Sequence, residues 1–211
     1  MYISYVHFAT YNISHNAALL FIQGMCFHVP PSAVPNGGFC AYILGFCICL
    51  YTLDSLYVSF YMTELIETTR FHVLPSGVQM TILVSDRFQQ SSAKNGGFVY
   101  VCLPWVDRSQ WHAFSLFEHP TEERSRQVFM LRTGDWTEQV HRALQRDTVR
   151  PVWVCGPFSS PYNNARFFDN QILVASGIGI TPALSVIRAH KDSRRINLIW
   201  DVEILPCLSS F

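Results

Sequence analysis

The sequence predicts a multi-domain membrane protein with two transmembrane α-helices, then an antiparallel β-barrel, then an incomplete α/β domain built on a parallel sheet. Three observations lead to this prediction. The 211 residues include 15 basic and 15 acidic side chains, yet none of them precedes Asp54. Short β-type runs follow Arg70, the first basic residue, and a strand–helix–strand pattern follows later. We therefore expect domains at 1–70, 71–150 and 151–211.

Two apolar stretches, roughly 5–28 and 39–61, are long enough to cross a membrane, which takes about 20 residues. A Pro/Gly-rich connection at 29–38 separates them. A signal peptide is a poorer interpretation, because no basic residue comes first and the apolar character resumes after the break. All 15 basic residues follow the second stretch, so we expect residues 71–211 in the cytosol of an integral membrane protein. Two anchors without chemistry are the alternative.

His15 and His28 lie in the first stretch, 13 positions apart. On a helix this spacing separates the two side chains by about 20 Å, so one helix could ligate two stacked haems at different depths. An interfacial His28 and a hydrogen-bonding His15 are the alternative.

The pattern after Arg70 is typical of a small antiparallel barrel, with Gly- and Asn-containing breaks between short runs of β-formers. A helix is expected at about 136–146, after Gly134 and Asp135. The predicted strands of this part are Val78–Val84, Phe98–Leu103, Phe114–Phe117 and Val128–Leu131.

From residue 151 the pattern is typical of a parallel sheet with a crossover helix. The predicted elements are a strand at Pro151–Cys155, a turn at Gly156–Phe158, a strand at Gln171–Ala175, a helix ending near His190 and a strand at Ile196–Trp200.

The turn that joins the second strand to the helix contains Gly177 and Gly179. Its backbone N–H groups could approach a phosphate at the helix N-terminus. Thr181 can add a hydroxyl, and Pro182 suits the first helical turn. Because the full GxGxxG pattern is absent, a purely structural tight turn is the alternative.

Two classes of protein are disfavoured. The charges balance and no basic run is longer than Arg194-Arg195, so a nucleic-acid partner is not expected. The seven cysteines are odd in number and show neither CxxC pairs nor zinc-ligand spacing, so a disulfide scaffold is not expected either.

Taken together, the motifs resemble those of the NADPH oxidase and ferric reductase family, membrane haem proteins with a ferredoxin-reductase-type flavin domain and a pyridine-nucleotide domain. The resemblance covers nearly the whole chain to Trp200, and the Gly-Asp-Trp-Thr element favours the oxidase branch. The matching segments are Asn95–Phe98, Trp111–Ser115, Gly134–Thr137, Gly156–Phe158 and Gly177–Pro182.

This resemblance implies a set of binding residues and no catalytic acid or base, because hydride transfer requires none. FAD would contact His112, Ala113, Phe114 and Ser115. NADPH would contact Gly156, Pro157, Gly177, Gly179, Thr181 and Pro182. Haem iron would take His15 and His28, provided that the family's other haem-ligating helices are supplied.

The resemblance also implies an oxidoreductase that passes electrons from NADPH through FAD and b-type haem across the lipid bilayer to an acceptor. Molecular oxygen giving superoxide is the preferred acceptor, and a ferric chelate is the alternative. No regulatory or oligomeric partner is indicated.

Two departures from the family pattern stand out. Ala113 replaces the usual proline of the flavin motif, and the nucleotide domain is cut short after Trp200. We therefore expect a fragment or an incomplete gene model, and a truncated, non-catalytic membrane paralogue is the alternative to an enzyme.

Overall fold

The structure is a computed structural model, and it describes residue 21 and residues 37–86, 96–119 and 121–201. Within residues 37–201, the described α-helices are α1 (Gly37–Tyr61), α2 (Asp135–Ala143) and α3 (Ile180–His190). Short 3-10 helices lie at Pro161–Phe167 and Gly177–Gly179. The strands are β1 (Thr63–Leu74), β2 (Gly77–Leu83), β3 (Phe98–Cys102), β4 (His112–Ser115), β5 (Phe117–Glu118), β6 (Ser125–Leu131), β7 (Thr148–Phe158), β8 (Asn170–Ser176) and β9 (Arg195–Asp201).

Helix α1 confirms the predicted helix at 39–61. Its Tyr42–Tyr61 portion has a mean hydropathy of 1.7 and is long and apolar enough to cross a membrane. Near its C-terminal end Tyr57 and Tyr61 stack with ring centroids 4.9 Å apart. Apart from Phe21, the helix expected at 5–28 lies outside the described residues. The described residues thus contain one candidate membrane helix, and the expectation of two is not confirmed.

Seven strands form one antiparallel sheet in the order β4-β3-β7-β1-β2-β6-β5. Alternation of buried and partly exposed residues along β2 directs Val78, Met80 and Ile82 into the core. The sheet nearly closes because β4 and β5 are joined by Leu116 alone. The amide of Leu116 donates to the Gly97 carbonyl at 2.9 Å. The predicted antiparallel barrel is therefore confirmed.

Two strands of this barrel extend beyond the domain limits expected from the sequence. Strand β1 begins at Thr63, inside the segment assigned to the membrane, and β7 lies between β1 and β3 rather than in a parallel sheet. Residues 152–155 of β7 are all buried. A continuous buried run of this kind occurs in central strands of both sheet types, and periodicity alone does not separate them.

The remaining strands, β8 and β9, pair in parallel from Asn170↔Arg195 to Ser176↔Asp201. Helix α3 covers one face of this pair, where Leu173, Ala183 and Val186 form a small core. On the other face Ile172 is 70% exposed.

One arginine fastens the 3-10 helix at Pro161–Phe167 to the end of α3. The guanidinium of Arg194 donates to the carbonyls of Ala165, Arg166 and Phe168. These contacts join the segment that leaves the barrel to the parallel pair.

Candidate functional site

The predicted flavin motif forms strand β4, which pairs with β3 from Val101↔His112 to Phe98↔Ser115. Phe114 packs against the barrel core, whereas Ala113 is exposed. The hydroxyl of Ser115 is half-buried and has no hydrogen-bond partner in the described part of the chain. Strand β4 thus presents one unused hydroxyl at the end where it leaves β3.

His112 is held on two sides. Its ring lies over Trp136 of α2 with centroids 4.0 Å apart and planes 30° apart. Its Nε2 is 3.1 Å from Oε1 of Gln110. Burial lowers the pKa of His112, and the nearby carboxylate of Asp107 acts in the opposite direction. We therefore treat the imidazole as neutral at pH 7.

Helix α2 begins beside this histidine and has no side-chain cap at Gly134. The first intrahelical hydrogen bond runs from Glu138 to the Gly134 carbonyl at 2.9 Å, so the three amides before Glu138 have no partner within the helix. A Cβ added to Gly134 would meet nothing within 4 Å. The indole Nε1 of Trp136 is buried and also has no partner among the described residues. Such an open helix N-terminus favours an anionic group.

The loop that enters β3 contacts the segment that follows the barrel. Gly96 has a φ of +79°, and a Cβ added there would lie 2.9 Å from Cβ of Tyr162 and 3.3 Å from the Pro182 carbonyl oxygen. The hydroxyl of Ser160 donates to the Gly96 carbonyl. Asn95, the first residue of the matching segment, lies outside the described residues. The barrel and the parallel pair therefore meet at Gly96.

The predicted nucleotide turn lies between β8 and α3. Gly177 has a φ of +50°, and added Cβ atoms at Gly177 or Gly179 would meet nothing within 4 Å. The indole N–H of Trp200 donates to the Gly177 carbonyl at 3.1 Å. Thr181 is buried and its hydroxyl donates to the Ile178 carbonyl at 3.1 Å. Hydrogen bonds thus hold the carbonyls of Gly177 and Ile178, while the space next to the α-carbons of Gly177 and Gly179 is open.

The sequence predicted a turn at Gly156 and Pro157, and this prediction is wrong. Both residues lie in the last part of β7. They continue the strand because Phe158 still pairs with Phe98 of β3. Gly156 has a φ of +137°, and a Cβ there would lie 3.2 Å from Val99. Gly156 and Pro157 therefore lie within the barrel, next to β3.

One row of paired residues connects the flavin motif with the end of the membrane helix. Thr63, the first residue of β1, pairs with Cys155, which pairs with Tyr100, which pairs with Ala113. Three strand spacings amount to about 14 Å. The Gly156 amide also donates to the Met62 carbonyl at 3.0 Å. Strand β4 therefore lies close to the point where the chain leaves α1.

The structure brings His112 and Ser115 onto one strand beside the N-terminus of α2, and Pro182 next to the Gly96 loop. His15 and His28 lie outside the described residues, and no group of three metal-ligating side chains occurs within them. Sequence reasoning missed Gln110 as a contact of His112. The spacing of two residues on an extended segment, which directs both side chains to one side, was the available signal.

The fold is a nearly closed antiparallel barrel followed by a parallel strand–helix–strand unit. A flavohemoglobin from Malassezia yamatoensis, solved with bound FAD and haem, aligns with a TM-score of 0.57 at 17% identity, over 86% of this chain and 50% of its own. Phthalate dioxygenase reductase aligns with a TM-score of 0.51 at 18% identity, over 67% of this chain and 44% of its own. Likeness at such identities shows the fold alone.

The chain is also similar in sequence to curated proteins. Human NADPH oxidase 4 is 27% identical over 174 residues, which are 72% of this chain and 30% of that protein. Ferric reduction oxidase 8 from Arabidopsis thaliana is 30% identical over 122 residues, 54% of this chain and 17% of that protein. No family model matches the chain. These relatives are NADPH oxidases and ferric reductases, and the region that this chain matches is their C-terminal dehydrogenase region. The chain spans less than a third of the length of these curated relatives.

Proposed function

We propose that this chain binds FAD and NADPH and passes electrons from NADPH towards the membrane, as part of an oxidase that reduces molecular oxygen. The main support is the row of paired residues that places Ala113 of β4 about 14 Å from Thr63, beside the end of α1. A flavin on β4 would thus lie at the membrane end of the barrel. When bound, FAD accepts an electron pair from the nucleotide and releases electrons singly.

The residues present fit FAD. The unused hydroxyl of Ser115 and the backbone around Ala113 would hold the ring system, with Phe114 fixing the strand from within the core. The N-terminus of α2 would take the pyrophosphate, since its first amides and the Trp136 indole N–H have no acceptor among the described residues. His112 lies on the opposite face of β4 from Ser115 and contacts Trp136 of this helix.

The residues of the second turn fit a pyridine nucleotide. The open backbone at Gly177 and Gly179 would take a phosphate, and Thr181 and Pro182 would set the start of α3. Gly156 and Pro157, at the end of β7, remain proposed nucleotide contacts.

We extend the proposal to the membrane. Helix α1 would be one span of an integral membrane protein in contact with lipid, and residues 71–211 would lie in the cytosol, because every basic residue follows the helix. His15 and His28 would ligate two b-type haems, on the support of their spacing of 13 residues. Replacing either in a membrane preparation that contains haem should remove about half of the b-type absorbance.

The experiment for FAD uses the purified full chain in detergent. We expect the wild type to quench FAD fluorescence on titration, and the double variant His112→Ala, Ser115→Ala to bind far more weakly because the strand loses both polar contacts. The double variant His190→Ala, Ser193→Ala, at and just after the C-terminal end of α3, is the matched control. Undiminished FAD binding by the His112→Ala, Ser115→Ala variant would contradict the proposal.

A ferric chelate is the second candidate acceptor, supported by the 30% identity with ferric reduction oxidase 8. Superoxide and ferrous product are distinguished by separate colorimetric assays on NADPH-supplied membranes. If the membranes produce ferrous iron and no superoxide, the acceptor is a ferric chelate and not oxygen.

A further inference from the structure

The loop before β4 contains a fixed carboxylate. Oδ1 of Asp107 accepts hydrogen bonds from the backbone N–H of Ser109 at 2.8 Å and from the hydroxyl of the same residue at 2.7 Å. The Asp107 amide donates to the Leu103 carbonyl at 3.0 Å. The Ser109 contacts hold the pKa of Asp107 below its usual value, so the group is ionised at neutral pH.

This carboxylate determines which way round the Gln110 amide lies. Oδ2 of Asp107 is 2.9 Å from Nε2 of Gln110. An ionised carboxylate only accepts hydrogen bonds, so the NH2 group of Gln110 must face it. Oε1 of Gln110 then faces the ring nitrogen Nε2 of His112 at 3.1 Å. An amide oxygen only accepts, so Nε2 of the histidine must bear the proton.

The same histidine has one ring face on Trp136, with centroids 4.0 Å apart. Gln110 contacts Nε2 of the imidazole, and Trp136 covers one face of the ring. A ligand could therefore contact Nδ1 and the opposite face. In a neutral ring whose Nε2 is protonated, Nδ1 is a hydrogen-bond acceptor.

We propose that Gln110, aligned by Asp107, is a positioning residue that fixes His112 of the flavin site as its Nε2–H tautomer and directs Nδ1 to the bound FAD as an acceptor. This inference rests on the proposed function, since it concerns the same site.

The experiment observes the tautomer directly. Nitrogen-15 histidine spectra of the full chain in detergent, without FAD, distinguish a protonated from an unprotonated ring nitrogen, and the His112 signals are those lost in His112→Ala. The test variant is Gln110→Met, which keeps the length of the side chain and removes the acceptor. Gln139→Met, at an exposed position of α2, is the matched control.

We expect wild-type His112 to show a protonated Nε2 and an unprotonated Nδ1. Gln110→Met should shift both signals towards a mixture of tautomers and weaken FAD binding about two- to ten-fold, the effect of one hydrogen bond. Gln139→Met should change neither measurement. Asp107→Asn should shift the His112 signals in the same direction. The asparagine side chain carries an NH2 group that can donate to Gln110, so the NH2 group of Gln110 no longer has to face residue 107.

The outcomes separate the inference from the proposed function. If the wild type binds no FAD, the proposed function fails, and the role of Gln110 in binding FAD fails with it whatever the tautomer. If FAD binds but Gln110→Met leaves both the His112 signals and the FAD affinity unchanged, the inference alone is overturned. Should Gln110→Met not fold, unshifted His112 signals in Asp107→Asn overturn it instead.

Discussion

Replacement of Gly96 by alanine tests the contact between the barrel and the parallel pair. Two costs add at this position. The φ of +79° disfavours any L-residue by about 1–2 kcal/mol. The new Cβ would also lie 2.9 Å from Cβ of Tyr162, an atom that no rotamer change can move, and such overpacking costs about 1–3 kcal/mol.

The sum of roughly 2–5 kcal/mol should lower the melting temperature substantially. For a chain of this size each kcal/mol corresponds to about 2–4 °C. Thermal unfolding of the full chain in detergent, followed by tryptophan fluorescence, measures the shift. We therefore expect Gly96→Ala to melt at least about 4 °C below the wild type.

Two other glycines serve as controls because each lacks one of the two costs or both. Gly177 has a φ of +50° but open space around an added Cβ, so Gly177→Ala should cost only about 1–2 kcal/mol. Gly179 has a φ of −60° and open space, so Gly179→Ala should be neutral or stabilise by up to about 1 kcal/mol. If Gly96→Ala melts no lower than Gly177→Ala, the close approach of Gly96 to Tyr162 is refuted.

Three further predictions concern stability and access. Arg194→Met removes a guanidinium that donates to three carbonyls; we expect a lower melting temperature, and an unchanged one would show that these bonds contribute nothing. Cys102 and Cys155 are buried, and burial raises the pKa of the Cys155 thiol, so mass spectrometry should find both unalkylated by iodoacetamide until the chain unfolds; labelling of the native chain would contradict this. The Val73 amide and the His72 imidazole lower the pKa of Asp147, so its contribution to stability is present above the unfolded value near pH 4 and is lost as the pH falls through the folded value. Asp147→Asn should therefore flatten the fall in melting temperature on acidification, and an equally steep fall would contradict this.

Much of the barrel could be predicted from sequence because its strands alternate. In β2, from Val78 to Leu83, the buried residues follow the period of two that the sheet requires. Strand β7 could not be placed in this way, because residues 152–155 are uniformly apolar and buried. Its assignment to the barrel depends on pairing with β1 and β3, which is non-local information.

In the candidate site, too, the features that are local in sequence could be predicted and the non-local contacts could not. The residues of the flavin motif are contiguous, so their type and order indicated a strand at 111–115. The structure has this strand at His112–Ser115, whereas the strand expected at Phe114–Phe117 is interrupted at Leu116. Contacts between segments, such as Trp136 against His112 or Tyr162 against Gly96, depend on how the chain folds back. Local patterns do not report them, apart from the spacing of Gln110 and His112.

The junction between α1 and β1 holds the barrel close to the end of the helix. Only Met62 stands between the last residue of the helix and Thr63, and the Met62 amide donates back to the Tyr57 carbonyl at 3.3 Å. The Thr63 hydroxyl donates to the Val58 carbonyl at 3.0 Å. Because the connection is one residue long and hydrogen-bonded on both sides, the barrel cannot swing far from the helix end. On the proposed function, this fixes the distance between β4 and the membrane, so electron transfer would need no large domain movement on that side.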